Sequence, residues 1–317
     1  MNDSVFTVFN VVRIFAVSAL SFFVALAITP LWTKVLYKYK LGKQLRSKEQ
    51  APVFHSLHKN KEGTPTMGGV IIWGTVIIVS LVFWGLSEIY DHEWSSWNFL
   101  SRAQTLLPLG ALFIAAIFGL ADDMLGVFKI GPRGGGLTMK HRIASYTLVA
   151  AGGAWWFFYK LGFDFINIPF LGDFTVGWWY IPIFIFIIVA SAFSANETDG
   201  LDGLAAGTFL TMFAAYGAIA FVQERMDLVV FIGAIMGALV AFLWYNIFPA
   251  KFFMGDTGSM SLGIVLGVIA MLTNTPLLLP IIAIIFVGES GSVIIQLTSK
   301  RLRGKKIFHS TPIHHHF

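Results

Sequence analysis

Long apolar runs alternate along this chain with short polar stretches dense in Gly, Asp, Lys and His. A helical bilayer crossing takes about 20 apolar residues. Nine spans are predicted on that measure, near residues 11–32, 67–87, 104–121, 143–160, 178–195, 204–222, 228–248, 260–273 and 277–298. The eighth is short enough to depend on its neighbours. The first block does not read as a cleavable leader, because it is too long and Asp3 precedes it with only Arg13 as a nearby cation. The expected fold class is all-α: a polytopic integral membrane helical protein, with residues 1–317 forming a single transmembrane domain.

Composition agrees with that pattern. Of 317 residues, 56% are hydrophobic and 12% charged, against about 25% charged in soluble proteins. The absence of cysteine excludes a disulfide framework, a thiol nucleophile and a zinc–thiolate site. A net charge of +5 would suit nucleic acid if it were clustered, but its placement follows the spans. All lysines and arginines except Arg13, Arg102, Lys160 and Arg225 fall in segments 33–66, 122–142, 249–259 and 299–317. Basic loops stay cytoplasmic, so the N-terminus is expected outside and, with nine spans, the C-terminus inside. Topology explains the basic excess; membrane lipids are expected partners and nucleic acid is not.

The unusual polar motifs share that basic face: "NKEGTPTMGG" (60–69), "GLADDMLG" (119–126), "NETDGLDG" (196–203), "NIFPAKFFMGDTGS" (246–259) and the terminal "TPIHHHF" (311–317). Asp122 and Asp123 repel each other and call for a hard cation with oxygen ligands, or form a solvated helix end. Asp199 and Asp202 repeat Asp-Gly, which alone is more often an ordinary turn. Asp256 stands between glycines before a span, where it could be a plain N-cap. Each signal is weak alone. Five aspartates in three loops on one face favour a Mg²⁺ site, and Mg²⁺ at a membrane surface points to phosphate chemistry. Glu289 in "FVGESGSV" is the clear ionisable residue inside a span, and its flanking glycines are expected to loosen that helix.

Lys61, Lys140 and the histidines are candidate cations, although topology explains Lys140 better. "GPRGGGLTMK" (131–140) lacks the spacing of a nucleotide-phosphate loop and reads as flexible, so ATP hydrolysis is not supported. The terminal histidines could be the stump of a purification tag. They follow the basic run "SKRLRGKKIFHS" rather than a linker of small residues, and histidine donates well to phosphate, so a site is favoured.

Together these motifs resemble the phospho-N-acetylmuramoyl-pentapeptide transferase (MraY) family, within the polyprenyl-phosphate hexosamine-1-phosphate transferases. "GTPTMGG" and "PIHHHF" carry the specificity, because sister transferases share the aspartate motifs but differ at those two. The resemblance implies transfer of phospho-MurNAc-pentapeptide from UDP-MurNAc-pentapeptide to undecaprenyl phosphate, giving lipid I and UMP with Mg²⁺, at the cytoplasmic face of a bacterial inner membrane. It places Asp122, Asp123 and Asp256 in the catalytic centre, with Asp256 as metal ligand. Lys61 and Thr66 match the cleft lining, and Asn196, Asp199, Gly200, Leu201 and Asp202 a nucleotide-holding loop. Asn246 also matches, as do Phe253 as the ring stacking on uracil, Gln296 near the uridine pocket, and the triplet His314, His315 and His316. A homodimer is compatible with the resemblance.

Three departures stand out. Phe193 and Glu197 replace a usual asparagine and leucine, Gly126 stands where a lysine is common (with Lys129 as a candidate substitute), and the family's tenth span is absent from the sequence. Two rivals remain. A sister transferase would move another UDP-hexosamine, and a transporter of nucleotide or lipid phosphates would require charged residues at the membrane midplane.

Overall fold

A computed structural model describes residues 3–42, 63–90, 94–102, 104–132 and 135–316. Its long helices are α1 (Asp3–Lys38), α2 (Gly69–Ile89), α3 (Leu106–Val127), α4 (Met139–Trp155), α5 (Tyr180–Thr198), α6 (Leu204–Val222), α7 (Met226–Asn246) and α8 (Asp256–Leu272). A four-residue turn, α9 (Leu279–Ile282), then leads into α10 (Ile284–Arg303). Every predicted span coincides with helix, and the chain is a mostly helical, multi-pass membrane protein.

The count of nine spans is not confirmed. Among the described residues six helices are long and apolar enough to cross a membrane, and at most seven if the bent pair Pro276–Ile282 and Ile284–Arg303 is one span. α4 is 17 residues long and opens on Lys140, His141 and Arg142. α8 also has only 17 residues. The parity argument for the C-terminus therefore lapses, and the basic-residue split alone carries the orientation.

α8 is short because it meets protein on all sides: every residue from Asp256 to Leu272 is buried. It packs mainly against α3 and α5, with α2 crossing its first turn. Without a hydrophobic drive between helices in lipid, close approach depends on small residues. A Cβ built on Gly263 would lie 2.7 Å from Ala195 Cβ, and one on Gly119 would lie 2.3 Å from the Asp256 carbonyl oxygen. Two α8 hydroxyls bond within the helix, Ser259 donating to the Gly255 carbonyl (3.1 Å) and Ser261 to that of Thr257 (2.7 Å), while Thr257 donates across to the Ala116 carbonyl of α3 (3.0 Å). Outward faces instead present Phe15, Phe23, Phe186 and Trp244.

Two features lay outside the sequence reading. Residues between α4 and α5 form an antiparallel hairpin, β1 (Phe165–Ile168) with β2 (Gly172–Thr175), Phe165 opposite Thr175. The final apolar stretch bends by 83°. The break falls at Ala283, while Gly288 and Gly291 stay helical, so the glycines beside Glu289 do not loosen the helix as expected.

Candidate active site

The chain ends of α3, α5 and α7, the starts of α4 and α8, and the terminal segment converge on one face. The organising piece is the turn before α8. Gly255 has φ +76°, and a Cβ there would stand 2.5 Å from Asp123 Oδ2 and 2.6 Å from Thr66 Oγ1, so only glycine fits. That turn is gripped from two directions. The Gly255 amide donates to Asp199 Oδ2 (2.9 Å), and the Thr257 amide donates to Asp123 Oδ2 (3.0 Å). A carboxylate at the start of α8 satisfies an otherwise unpaired amide and meets the positive end of the helix dipole.

The "GTPTMGG" loop is clamped alongside by backbone pairing. The Phe253 amide donates to Pro65 O, and those of Gly68 and Gly69 to Phe253 O and Met254 O, each at 2.8 Å. This brings buried Thr66 to Asp123, its hydroxyl donating to Oδ1 at 3.3 Å. Half-buried Phe253 sits in this ladder. Lys61 lies outside the described residues, as does Phe317.

Asp122 and Asp256 meet through a residue that the sequence reading missed. Arg142, in the first turn of α4, places Nη2 2.9 Å from Asp256 Oδ2 and Nε 2.6 Å from Asp122 Oδ2. The Nε contact is off the hydrogen-bonding line and acts as an ion pair. Nη1 donates to Asn196 Oδ1 (3.1 Å), and Asn196 Nδ2 donates to Asp256 Oδ1. Burial opposes the Arg142 charge, but Asp256 and Asp122 outweigh it and raise its pKa above the usual guanidinium value. Arg142 precedes the apolar part of its helix, so its charge had passed as positive-inside topology. Its one distinguishing signal was a position opening a helix directly after the glycine loop.

That loop is less free than expected. The Leu137 amide donates to Asp122 Oδ1 at 2.6 Å, and Thr138 caps α4 by accepting from the His141 amide. The glycines let the backbone close on Asp122: a Cβ on Gly136 would lie 3.1 Å from Asp122 Oδ1.

Other predicted residues position segments. Asn246 accepts from the Gly203 amide (3.0 Å) and donates to Phe252 O (2.9 Å), tying two loops together. Asp202 Oδ2 accepts from the Ala250 amide at 3.0 Å. Leu201 is 40% exposed on the same loop. Gln296 is buried, and its amide group is taken up by the Ile307 and Phe308 backbone, so it fastens the segment that carries the histidines. His314 packs on Gly200, where a Cβ would stand 2.3 Å from Nε2. His316 turns back instead, its Nδ1 accepting from the His309 amide (3.1 Å).

Comparison with known proteins decides the family. The model described as glycosyl transferase family 4 matches residues 105–274, and phospho-N-acetylmuramoyl-pentapeptide-transferase signature 1 matches residues 61–72. The phospho-N-acetylmuramoyl-pentapeptide-transferase of Chloroflexus aggregans is 36% identical over 321 residues, covering 97% of this chain and 82% of that protein. Its counterpart in Bacillus thuringiensis is 35% identical over 306 residues, covering 95% and 87%. This chain belongs to the phospho-N-acetylmuramoyl-pentapeptide-transferase family. It is a phosphoglycosyl transferase by that membership.

The family's departures find physical places here. Gly126 has open space around it, and the turn at Gly135 folds close to its carbonyl. Lys129 is exposed and pairs with no carboxylate among the described residues, so Arg142, not Lys129, supplies the cation beside Asp122. Phe193 packs against the core. Glu289, the apparent intramembrane exception, faces the terminal histidines: its Oε2 lies 2.9 Å from His314 Nδ1.

Among the described residues no three His, Asp or Glu side chains are grouped to hold a metal alone. Mg²⁺ does not require such a group, since it usually takes one or two carboxylates, several waters and substrate phosphates. Asp122, Asp123 and Asp256 bring carboxylate oxygens together on one face beside Arg142. The donor set therefore fits a hard cation.

Proposed function

We propose that this chain works as one transferase domain that moves phospho-MurNAc-pentapeptide from UDP-MurNAc-pentapeptide to undecaprenyl phosphate, releasing UMP. The observation that carries this reading is the convergence of the 63–69 loop, Asp122, Asp123, Asp199 and Asp256 around the start of α8, with His314 against the neighbouring Gly200, in a chain whose relatives bear that enzyme's name. Asp256 would hold Mg²⁺, with Asp122 and Asp123 adding charge to its surroundings. When bound, Mg²⁺ supplies positive charge that offsets the pyrophosphate.

The chain's own groups account for the rest. A lipid-phosphate oxygen attacks the sugar-side phosphorus, forming the new P–O bond as the bond to UMP breaks and UMP leaves with the electron pair. Asp122 accepts the proton of the lipid phosphate. Arg142 holds Asp122 and Asp256 in place and compensates charge that grows on the phosphoryl oxygens. Asp199, Gly200 and Asp202 keep the nucleotide loop against the turn before α8. His315 donates to phosphate or uridine, with His314 packed behind it.

The test is UMP release from purified protein with both substrates supplied, with and without Mg²⁺. UDP-MurNAc-pentapeptide should turn over and UDP-GlcNAc should not; the reverse would assign a sister transferase. Transport of nucleotide without UMP release would support the transporter instead.

Orientation is part of the proposal, with the site facing the cytoplasm of the bacterial inner membrane. Cysteines at exposed Lys251 and at Ser310 should be labelled only from the cytoplasmic side, and one at exposed Ser95 only from outside. External labelling at Lys251 would overturn the assignment.

A further inference from the structure

Glu289 plays no part in the mechanism above, yet it is placed with care. It lies on α10 beyond the break at Ala283, and its side chain and that of His314 are each only 5% exposed. One oxygen, Oε2, receives both the His314 ring at Nδ1 (2.9 Å) and the His314 backbone amide (3.3 Å). On the other side of the ring, His314 Nε2 stands 3.2 Å from His315 Nε2, with ring centroids 4.0 Å apart. Below it lies Gly200, whose missing side chain makes room for the imidazole. Carboxylate, two imidazoles and the nucleotide loop form a continuous row.

We propose that Glu289 is a positioning residue that fixes the tautomer of His314 and thereby sets the direction of the His314–His315 hydrogen bond. The inference rests on the transferase reading, in which the terminal histidines touch substrate. A carboxylate oxygen can only accept here, so Nδ1 of His314 carries a proton, and the ring's state is then defined at Nε2. With His314 neutral, Nε2 is a lone pair and must accept from His315 Nε2–H, which leaves His315 Nδ1 as an acceptor. One added proton on the pair reverses this. His314 Nε2–H then donates to His315 Nε2, and His315 Nδ1 becomes a donor suited to a phosphate oxygen. Without Glu289 neither state is enforced, because a free imidazole can place its proton on either nitrogen. Behind metal-bound histidines, carboxylates that fix the ring in this way commonly matter about 10–100-fold, and an effect of that size is expected here.

The experiment uses the full chain in lipid nanodiscs with ¹⁵N-labelled histidine. Two-bond ¹H–¹⁵N correlations distinguish Nδ1–H from Nε2–H, and the His314 signals are assigned by their loss in His314→Gln. The native protein should show a protonated Nδ1 at His314. Glu289→Met removes the acceptor while keeping length and apolar bulk; it should move the neutral ring toward Nε2–H and lower UMP release about 10–100-fold. Glu289→Gln retains a carbonyl oxygen, and should keep the Nδ1 proton and recover most of the activity. The idea is overturned if native His314 lacks the Nδ1 proton, if Glu289→Met leaves the tautomer unchanged, or if the tautomer moves while UMP release holds. A native protein that releases no UMP would instead sink the transferase reading, with the tautomer measurement still deciding the contact.

Discussion

Asp256→Asn should reduce Mg²⁺-supported UMP release by about 10²–10³-fold, the usual cost of removing one electrostatic contact to a transition state. The change keeps the side chain's shape but removes the charge on which Arg142 Nη2 and Asn196 Nδ2 converge. The start of α8 should survive it, because the Gly255 and Thr257 amides are held by Asp199 and Asp123 rather than by Asp256. Folding and catalysis therefore separate cleanly at this position. The measurement is turnover across a Mg²⁺ titration with protein levels matched by monodispersity. Near-native turnover at limiting Mg²⁺ would remove Asp256 from the metal role.

Arg142→Gln should be nearly as damaging to activity and should also leave a thermodynamic trace. The Asp122 and Asp256 side chains are only 4% and 9% exposed, and losing their shared cation leaves buried like charges facing each other. Breaking a buried ion pair by removing one partner costs about 3–5 kcal/mol. The cost should be lower here because Arg142 is 20% exposed and water can reach it. A cation that binds the folded state stabilises it by mass action, so Mg²⁺ should raise the thermal midpoint of Arg142→Gln more than that of the native protein. Arg142→Lys keeps one charge but cannot span Asp122, Asp256 and Asn196 together, and should fall between. A thermal midpoint and Mg²⁺ response equal to those of the native protein would show that Arg142 does not bridge the carboxylates.

The candidate site was partly legible as a set of residue types. Asp122, Asp123, Asp199, Asp202 and Asp256 stand out because carboxylates are rare in this chain and cluster at the ends of apolar runs. Arg142 did not stand out, since a cation in a basic loop is what topology alone produces. Gln296 matches a residue near the uridine pocket, and only the structure shows that its amide also holds the backbone of residues 307 and 308. His316 shares a triplet with His314 and His315 but turns to His309, because three consecutive residues in a tight turn cannot point the same way. Chemical type is local information; pairing is not.

The same division holds for the fold. Sequence by itself determined that this is a helical membrane protein and roughly where its helices run, because apolar length and the cost of unpaired backbone in lipid leave few alternatives. It also determined which loops carry charge, and with "GTPTMGG" and "PIHHHF" it pointed to the family. Tertiary structure decided which apolar helix is enclosed by protein. It enclosed α8 with α2, α3 and α5, so an apolar helix of 17 residues serves as the core. It also bent the last apolar stretch at Ala283, beyond which Glu289 reaches His314. Hydrophobicity looks the same to a sequence whether a residue faces lipid or another helix, and only packing tells the two apart.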